Sequence, residues 1–231
     1  MSHLVGADGC TGGWITAERI GAAFAWSRIE RLEVLFERAD MPAVVAVDAP
    51  IGLPERGARA CDVATRAALG PRRSSVFPAP PRALLQATSY AEASRLREAI
   101  EGKRISRQTW GILPKIRELD DLLRANPAAR AVTNEVHPEL AFLKLNRGRP
   151  LRANKRTPEG QAERIALLRP WCGDAIDRAL ADRRRLACAP DDLFDAFAAL
   201  WTAERIARGD AVSLPLDAPR DAVGLPMRIT A

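Results

Sequence analysis

Three acidic residues stand at the ends of apolar runs that are typical of buried strands. Asp8 follows the run LVGA, and Asp48 follows the run VVAV. Glu135 ends a third candidate strand within ARAVTNEV. Ligands of open α/β sheets gather beyond the carboxyl ends of the strands. We therefore expect these three carboxylates to lie near one edge of a sheet.

Two further aspartates share one face of the last predicted helix. Asp192 and Asp195 are three residues apart, and they lie in the first two turns, where the helix dipole stabilises negative charge. Ordinary helix capping would explain Asp192. It explains Asp195 poorly, because that residue lies within an apolar stretch that contains Phe194 and Phe197. The pair is therefore a candidate part of the same site.

Carboxylates that converge in one pocket repel one another unless protons or cations lie between them. Hard oxygen ligands suit Mg²⁺ or Mn²⁺, which keep several waters and bind phosphate oxygens. Two such ions about 3.5–4 Å apart stabilise both the attacking and the leaving oxygen of phosphodiester hydrolysis. The sequence thus predicts an Mg²⁺ or Mn²⁺ site, and the candidate ligands are Asp8, Asp48, Asp192 and Asp195, with Glu135 as a further catalytic candidate.

Hydrophobic patterning predicts the elements that would position these acids. Two hairpin-like strands separated by Gly21 follow the first strand, and AVVAVD has the continuous apolar character of a central parallel strand. Further along the chain, Pro114 suits the first position of a helix, and residues 129–136 suit a strand. Pro190 begins the last helix, which ends at Gly209. This alternation predicts an α/β class.

Positive charge is concentrated in two segments of the chain. Residues 55–110 hold 11 basic and 5 acidic side chains, and residues 144–156 hold six basic side chains and no acidic one. We interpret residues 55 to about 130 as a basic helical insertion in a single domain that spans 1–231. Localised positive charge favours a polyanionic partner, a nucleic acid or a phosphoester, although solubility explains it equally well.

Composition excludes several classes of protein. The chain has 231 residues, of which 47% are hydrophobic and 28% are charged, and no apolar run approaches the ~20 residues that a membrane span needs. The N-terminus has no signal-peptide pattern, so we expect no membrane partner. Four cysteines without a CxxC pair, and only two histidines, make a zinc site improbable. These features predict a reducing, cytoplasmic setting.

Several polar side chains are candidates for contacts with substrate. The proline-rich segment 72–82 would place arginines and serines against phosphates, or it would be a rigid packing loop with Phe77 in the core. His137 lies between two glutamates and would relay protons, or it would be structural. Two lysines would reach a phosphate or lie on solvated surfaces. The candidates are Arg73, Ser74, Ser75, Arg82, Lys115, His137 and Lys155.

Seven motifs in order extend this interpretation: VGADGCTGGW, VDAPIGLP, RSSVFPAPPR, GILPKIRELD, NEVHPELAF, DDLFDAFAALWTA and GLPMRITA. Together they resemble the domain-of-unknown-function family 429, whose members are described as predicted nucleases with a ribonuclease H-like fold. The resemblance implies a five-stranded mixed sheet flanked by helices. It also implies acids on strand one, strand four and the final helix, which Asp8, Asp48 and the Asp192/Asp195 pair match. Glu135 on strand five is not a usual catalytic position, and would be a family-specific ligand or a support.

The predicted function is hydrolysis of phosphodiester bonds by a divalent-metal-dependent nuclease or phosphodiesterase. An alternative is a nucleotide-binding phosphotransferase or ATPase-like protein of the same fold superfamily, because GADGCTGGW resembles a first phosphate hairpin. Such proteins usually carry a duplicated fold and a second glycine-rich motif, for which 231 residues leave no room. A third alternative is a nucleic-acid-binding module without catalysis.

Overall fold

A five-stranded mixed sheet forms the centre of the computed structural model, which describes residues 2–231. The strand order is β3-β2-β1-β4-β5. β1, β2 and β3 are successively antiparallel, whereas β4 is parallel to β1 and β5 is parallel to β4. The strands are β1 (His3–Cys10), β2 (Gly13–Ile20), β3 (Ala23–Ile29), β4 (Val44–Asp48) and β5 (Thr133–Glu135). This order confirms the predicted ribonuclease H-like arrangement.

Eight α-helices accompany the sheet in the part of the chain that the structure describes. They are α1 (Ala60–Leu69), α2 (Tyr90–Glu101), α3 (Arg107–Ala125), α4 (Pro127–Val132), α5 (Pro138–Leu145), α6 (Pro158–Cys172), α7 (Ala175–Leu186) and α8 (Pro190–Arg208). Shorter 3₁₀ turns cover Leu32–Phe36, Gly70–Ser75 and Arg82–Gln86, and β6 (Ser213–Leu214) pairs with β7 (Ile229–Thr230). Across residues 2–231, no helix combines the length and the apolar character that crossing a membrane requires.

Helices cover both faces of the sheet because the central strands are apolar on both faces. On one face, side chains such as Leu4 and Ala46 pack against Phe197 of α8 and its neighbours. On the other face, Val5 and Val47 pack with residues of α3 and α4. A strand that is buried on both faces carries a nearly continuous apolar run. The two central strands, β1 and β4, are therefore held in fixed positions from both sides.

Gly6 lets α8 lie directly against β1. A Cβ atom at Gly6 would fall 2.1 Å from the backbone nitrogen of Leu200 and 2.3 Å from the carbonyl oxygen of Ala196. No side chain fits at that distance, so glycine is required for this close approach. The approach brings the first turns of α8 alongside the end of β1.

Two predicted boundaries were wrong. Pro114 lies inside α3, because the side chain of Ser106 accepts a hydrogen bond from the Thr109 N–H and begins the helix earlier. Residues 127–132 are helical and not extended, because the side chain of Asn126 caps α4 and Pro127 occupies its first turn. β5 is therefore only three residues long.

The segment between β4 and β5 is helical, as predicted, and much of it has its own apolar cluster. Leu53, Leu84, Ile105 and Leu113 belong to this cluster, which is separate from the two cores that cover the sheet. This separate cluster is consistent with an insertion in a single domain, and the division at residues 55–130 stays our interpretation.

Candidate metal centre

The carboxyl ends of β1 and β4 place Asp8 and Asp48 side by side. The parallel register pairs these two residues directly. Asp195 faces them from the second turn of α8. This helix packs closely against β1 because residue 6 is glycine. Each of the three residues offers one carboxylate oxygen, and these oxygens lie within 4.8 Å of one another. Three of the five acids predicted from the sequence therefore form one cluster.

Burial and mutual repulsion raise the pKa of each carboxyl group in this cluster. For Asp8, burial is the largest cause of the raised pKa, followed by the charges of Asp195 and Asp48. The pKa of Asp48 rises from 3.8 to about 7, chiefly through burial and then through Asp195. Burial also raises the pKa of Asp195. Because ionisation is costly for all three groups, the cluster favours a bound proton or a cation.

Lys155 supplies one positive charge beside the cluster. Its Nζ lies 2.5 Å from an Asp195 oxygen and 3.3 Å from an Asp191 oxygen. Burial lowers the pKa of Lys155, but Asp195, Asp8 and Asp191 outweigh it and raise that pKa above its usual value. The ammonium group is thus charged, and one such charge leaves three carboxylates incompletely balanced.

Asp192 lies next to the cluster but serves a second purpose. Its carboxylate accepts a hydrogen bond of 2.8 Å from the Ala189 N–H and so caps α8. It is not one of the three residues whose oxygens converge within 4.8 Å. Its charge nevertheless contributes to the raised pKa of Asp8. The structure therefore brings together Asp8, Asp48 and Asp195, with Asp192 at the rim, and a metal-ligating role for Asp192 stays a prediction.

Glu135 has a different environment from the other acids. Both of its oxygens accept hydrogen bonds of 2.7 Å from the guanidinium of Arg59. One oxygen also accepts a 2.6 Å bond from the Ile51 N–H, in the loop that follows β4. Arg59 further binds Asp62. These bonds fit the support that the resemblance allowed for Glu135, and a catalytic role stays a prediction.

The segment 72–82 lies partly at the surface. Arg73 and Ser74 are exposed, and Ser75 donates its hydroxyl hydrogen to the Arg72 carbonyl. Phe77 is 43% exposed, whereas its neighbour Val76 is buried, so the alternative in which Phe77 docks in the core was wrong.

Two other substrate candidates, Arg82 and Lys115, have protein partners. Arg82 forms ion pairs with Asp120 and Asp221, which occupy its guanidinium. The Nζ of Lys115 lies over the Trp14 ring, 4.8 Å from its centroid, and 3.6 Å from a Glu118 oxygen. None of these partner residues belongs to the carboxylate cluster. Contacts of Arg82 and Lys115 with substrate stay predictions.

His137 begins α5 close to the centre. Its Nε2 lies 3.3 Å from the Ser75 carbonyl oxygen, and its Nδ1 is buried with no hydrogen-bond partner among the described residues. Burial lowers the pKa of His137, although the nearby acids Asp195, Glu139 and Glu135 oppose this. The ring is therefore neutral at physiological pH.

The arginines that bind the buried glutamates, Arg164 at Glu139 and Arg59 at Glu135, were not identified from the sequence. Arg164 is fully buried and binds Glu139, which also binds Arg72. The only local signal was the spacing of Arg59 and Asp62, three residues apart at the start of a helix. That spacing does not reveal the contact with Glu135, which lies 76 positions further along the chain.

A cavity of about 470 Å³ opens beside the cluster. Gly9, Cys10 and Thr11 line it from the end of β1 and the turn that follows, and residues 187–192 line it from the α7–α8 connection and the first turn of α8. Arg156 and Gln161 complete its wall. Asp191 and Asp192 belong to this lining, whereas Asp8, Asp48 and Asp195 do not, so the cavity adjoins the cluster on the side of Asp192.

The sheet order and the carboxylate cluster define an α/β protein of ribonuclease H-like arrangement with a site that could hold a divalent metal. A family model described as "Protein of unknown function (DUF429)" matches residues 6–220, so the chain belongs to that family. The resemblance seen in the sequence motifs is thereby confirmed. No curated protein and no solved structure gives a match.

Proposed function

We propose that this protein is a divalent-metal-dependent nuclease or phosphodiesterase. One observation carries the proposal: three carboxylates from β1, β4 and α8 offer oxygens within 4.8 Å of one another, and a single lysine balances only part of their charge. Buried carboxylates without compensating charge are costly. A cluster of this kind is best explained by a cation that binds there.

The chemistry of the donor set fits Mg²⁺ or Mn²⁺. All three side chains provide hard oxygen ligands, and neither cysteine nor histidine belongs to the group. When bound, such an ion would polarise a phosphodiester and lower the pKa of a coordinated water. Asp8, Asp48 and Asp195 would hold it, with Asp192 at the rim as a further ligand candidate.

The chain's own residues suggest how substrate would be held. The ammonium group of Lys155 faces the cluster and also contacts Asp191 on the cavity wall. Among residues 2–231 it is the one lysine or arginine within 4.0 Å of the three carboxylates, and it would fix a phosphate oxygen bound there by charge and hydrogen bonding. Arg156 would contact the neighbouring part of the substrate from the same wall.

The test couples metal binding to hydrolysis. Wild-type protein is expected to gain thermal stability with Mn²⁺ and to hydrolyse bis(p-nitrophenyl) phosphate or labelled oligonucleotides only with divalent metal. Asp8→Asn and Asp195→Asn should each lower the rate about 100-fold or more, because each removes a charged ligand. The matched control is Asp177→Asn, which alters a partly exposed aspartate of α7 that pairs with Arg169 of α6.

Three results would contradict the proposal. One is a rate that persists in Asp8→Asn, which would indicate a different site. Another is an Mn²⁺-induced stabilisation that is equal in wild-type and Asp195→Asn proteins. The third is metal-dependent release of phosphate from ATP with no cleavage of any phosphodiester, which would favour the phosphotransferase or ATPase-like alternative.

A further inference from the structure

We propose that residues 144–156, which are the last two residues of α5 and most of the loop that leads to α6, form the surface that binds the phosphate backbone of a nucleic acid. This basic loop contains Lys144, Arg147, Arg149, Arg152, Lys155 and Arg156, and it contains no acidic residue. The inference rests on the proposed function, because it assigns the macromolecular substrate of the same site. It assigns the polyanion to the second of the two basic segments of the sequence and not to the first, residues 55–110.

Four of the six cations of the basic loop are free to meet a ligand. Within residues 2–231, the side chains of Lys144, Arg147, Arg149 and Arg152 have no carboxylate oxygen within 4.0 Å. All four are exposed. Unpaired surface cations at this density repel one another, so a polyanion that neutralises them gains binding energy through release of its counterions.

The basic side chains of segment 55–110 are mostly engaged by the protein itself. Arg59 binds Glu135 and Asp62, and Arg82 binds Asp120 and Asp221. Other members of the segment that form ion pairs are Arg72, Arg97, Lys103 and Arg104. The exposed cations of this segment without an ion pair, Arg56, Arg73, Arg95 and Arg107, are spread over about fifty positions, whereas those of the basic loop lie within residues 144–152.

Hydrogen bonds hold the backbone of the basic loop in place. The carboxylate of Glu163 accepts hydrogen bonds from the Arg152 and Ala153 N–H groups. The side-chain amide of Asn146 donates to the Arg149 carbonyl. Glu163 thus binds the backbone of the loop and does not neutralise the guanidinium group of Arg152.

Helix α6 packs tightly against the same loop. A Cβ atom at Gly160 would lie 1.9 Å from the Asn154 carbonyl oxygen. The side chain of Asn154 also accepts a hydrogen bond from the Arg156 N–H. A surface whose backbone is fixed loses less conformational entropy when it binds.

The basic loop leads directly into the metal centre. Lys155 belongs to it and contacts Asp195, and Arg156 lines the cavity beside the carboxylates. From Arg147 to Lys155 the chain spans eight residues, at most about 26–29 Å if fully extended. That reach corresponds to several nucleotides of a strand. A strand bound along the loop would place one of its phosphates next to the carboxylate cluster.

A nucleic acid suits this surface better than a membrane does. Peripheral membrane segments combine cations with exposed apolar side chains that enter the bilayer. In the basic loop Leu151 is buried and Leu145 is half-buried, and none of the large exposed apolar side chains of the described chain lies in it. Contacts from arginine and lysine to phosphates carry no sequence information, so we expect binding independent of sequence.

The experiment measures binding of a fluorescein-labelled single-stranded oligonucleotide by anisotropy, in EDTA, over a series of salt concentrations. The triple variant R147A/R149A/R152A should bind about tenfold or more weakly than wild type. The slope of log K against log salt should fall by about 2, because each lost phosphate contact on a single strand contributes about 0.7. Hydrolysis of bis(p-nitrophenyl) phosphate with Mn²⁺ should be unchanged, since that small diester would lie at the carboxylate cluster and would not extend to the three substituted arginines.

The matched control is R95A/R130A/R184A, which removes three exposed arginines without ion pairs from α2, α4 and α7. It should bind the oligonucleotide as wild type does. Equal loss of affinity in both triple variants would overturn the inference, because net charge alone would then explain binding. Binding to phosphatidylserine vesicles that the loop variant abolishes, without binding to oligonucleotide, would overturn it in favour of a membrane.

The two proposals fail in different ways. If oligonucleotide binding depends on the basic loop but no metal-dependent hydrolysis occurs, the surface is supported and the catalytic proposal fails. If wild type and R147A/R149A/R152A cleave oligonucleotides with the same KM, the hydrolase is supported and the surface is overturned.

Discussion

Two groups of buried acids lie beyond the carboxyl end of β4, and they differ in how their charge is balanced. In the metal centre, Asp8, Asp48 and Asp195 converge with Lys155 as their nearest cation. A few residues away along the sheet, Glu135 meets Arg59 and, through it, Asp62. Sequence reasoning placed Glu135 with the first group, and the structure gives it the partners of the second.

The second group, the Arg59 network, is complete without any ligand. The guanidinium binds two carboxylates in forked geometry, and backbone N–H groups of Ile51 and Ala79 donate to the same acids. Arg59 is almost fully buried, whereas the side chain of Lys155 is 38% exposed. The comparison suggests that acids with a structural role receive a fixed internal cation. The acids that would bind a ligand have one cation, Lys155, whose side chain is partly exposed to solvent.

The largest expected effect comes from removing the internal cation. Arg59→Met should lower the free energy of unfolding by about 3–5 kcal/mol, because it leaves two buried carboxylates without a partner. Urea denaturation followed by circular dichroism measures this. Asp8→Asn, the equivalent removal of a charge from the metal centre, should not destabilise the metal-free protein. A loss below about 1 kcal/mol for Arg59→Met would mean that the network is not structural.

The positions of Asp8 and Asp48 were predictable because each follows an apolar run of its own strand. Burial on both faces makes such a run parallel and central, and parallel neighbours end at the same edge of the sheet. Asp195 was predictable for a related reason, since a charged residue among buried apolar neighbours needs a compensating partner. Local patterning was therefore sufficient for the three acids that converge.

The contacts between distant segments were not predictable. Lys155 meets Asp195 across 40 positions, and Arg59 meets Glu135 across 76. Which arginine pairs with which acid depends on the tertiary packing of loops, which leaves no periodic signal in sequence. The same limit explains α4, where the cap at Asn126 outweighed a strand-like composition.

The pH dependence of stability gives a smaller effect that separates the two groups. The pKa of Asp48 is about 7 in the folded protein against an ordinary 3.8. Between these values the folded state binds the extra proton, so this group's stabilisation is complete below about pH 4 and is lost as the pH rises through 7. Asp48→Asn should therefore be more stable than wild type at pH 8 by about 1–2 kcal/mol, and the gain should shrink at pH 5.

The difference between the two proteins, and not the wild-type curve, is the quantity to measure. Burial also raises the pKa of Glu135 to about 7, so Glu135 titrates in the same range in both proteins. Thermal unfolding at both pH values, without and with Mg²⁺, provides the comparison. Saturating Mg²⁺ should stabilise wild type preferentially and so reduce or reverse the gain. A variant that is less stable than wild type at pH 8 without metal would show that Asp48 is structural.

The smallest effect concerns the cation at the edge of solvent. Lys155→Met should destabilise the metal-free protein by less than about 1 kcal/mol, because a partly exposed ion pair is screened by water. The same change should tighten Mn²⁺ binding several-fold in calorimetry, since the ammonium no longer competes for the Asp195 oxygen that lies 2.5 Å away. The control is Lys144→Met, in the basic loop but without a carboxylate partner among the described residues, which should leave the affinity for Mn²⁺ nearly unchanged.

If Lys155→Met instead behaved like Arg59→Met, with a large loss of stability and no gain in metal affinity, the lysine would be a fixed structural partner. The two acidic groups would then not differ in kind.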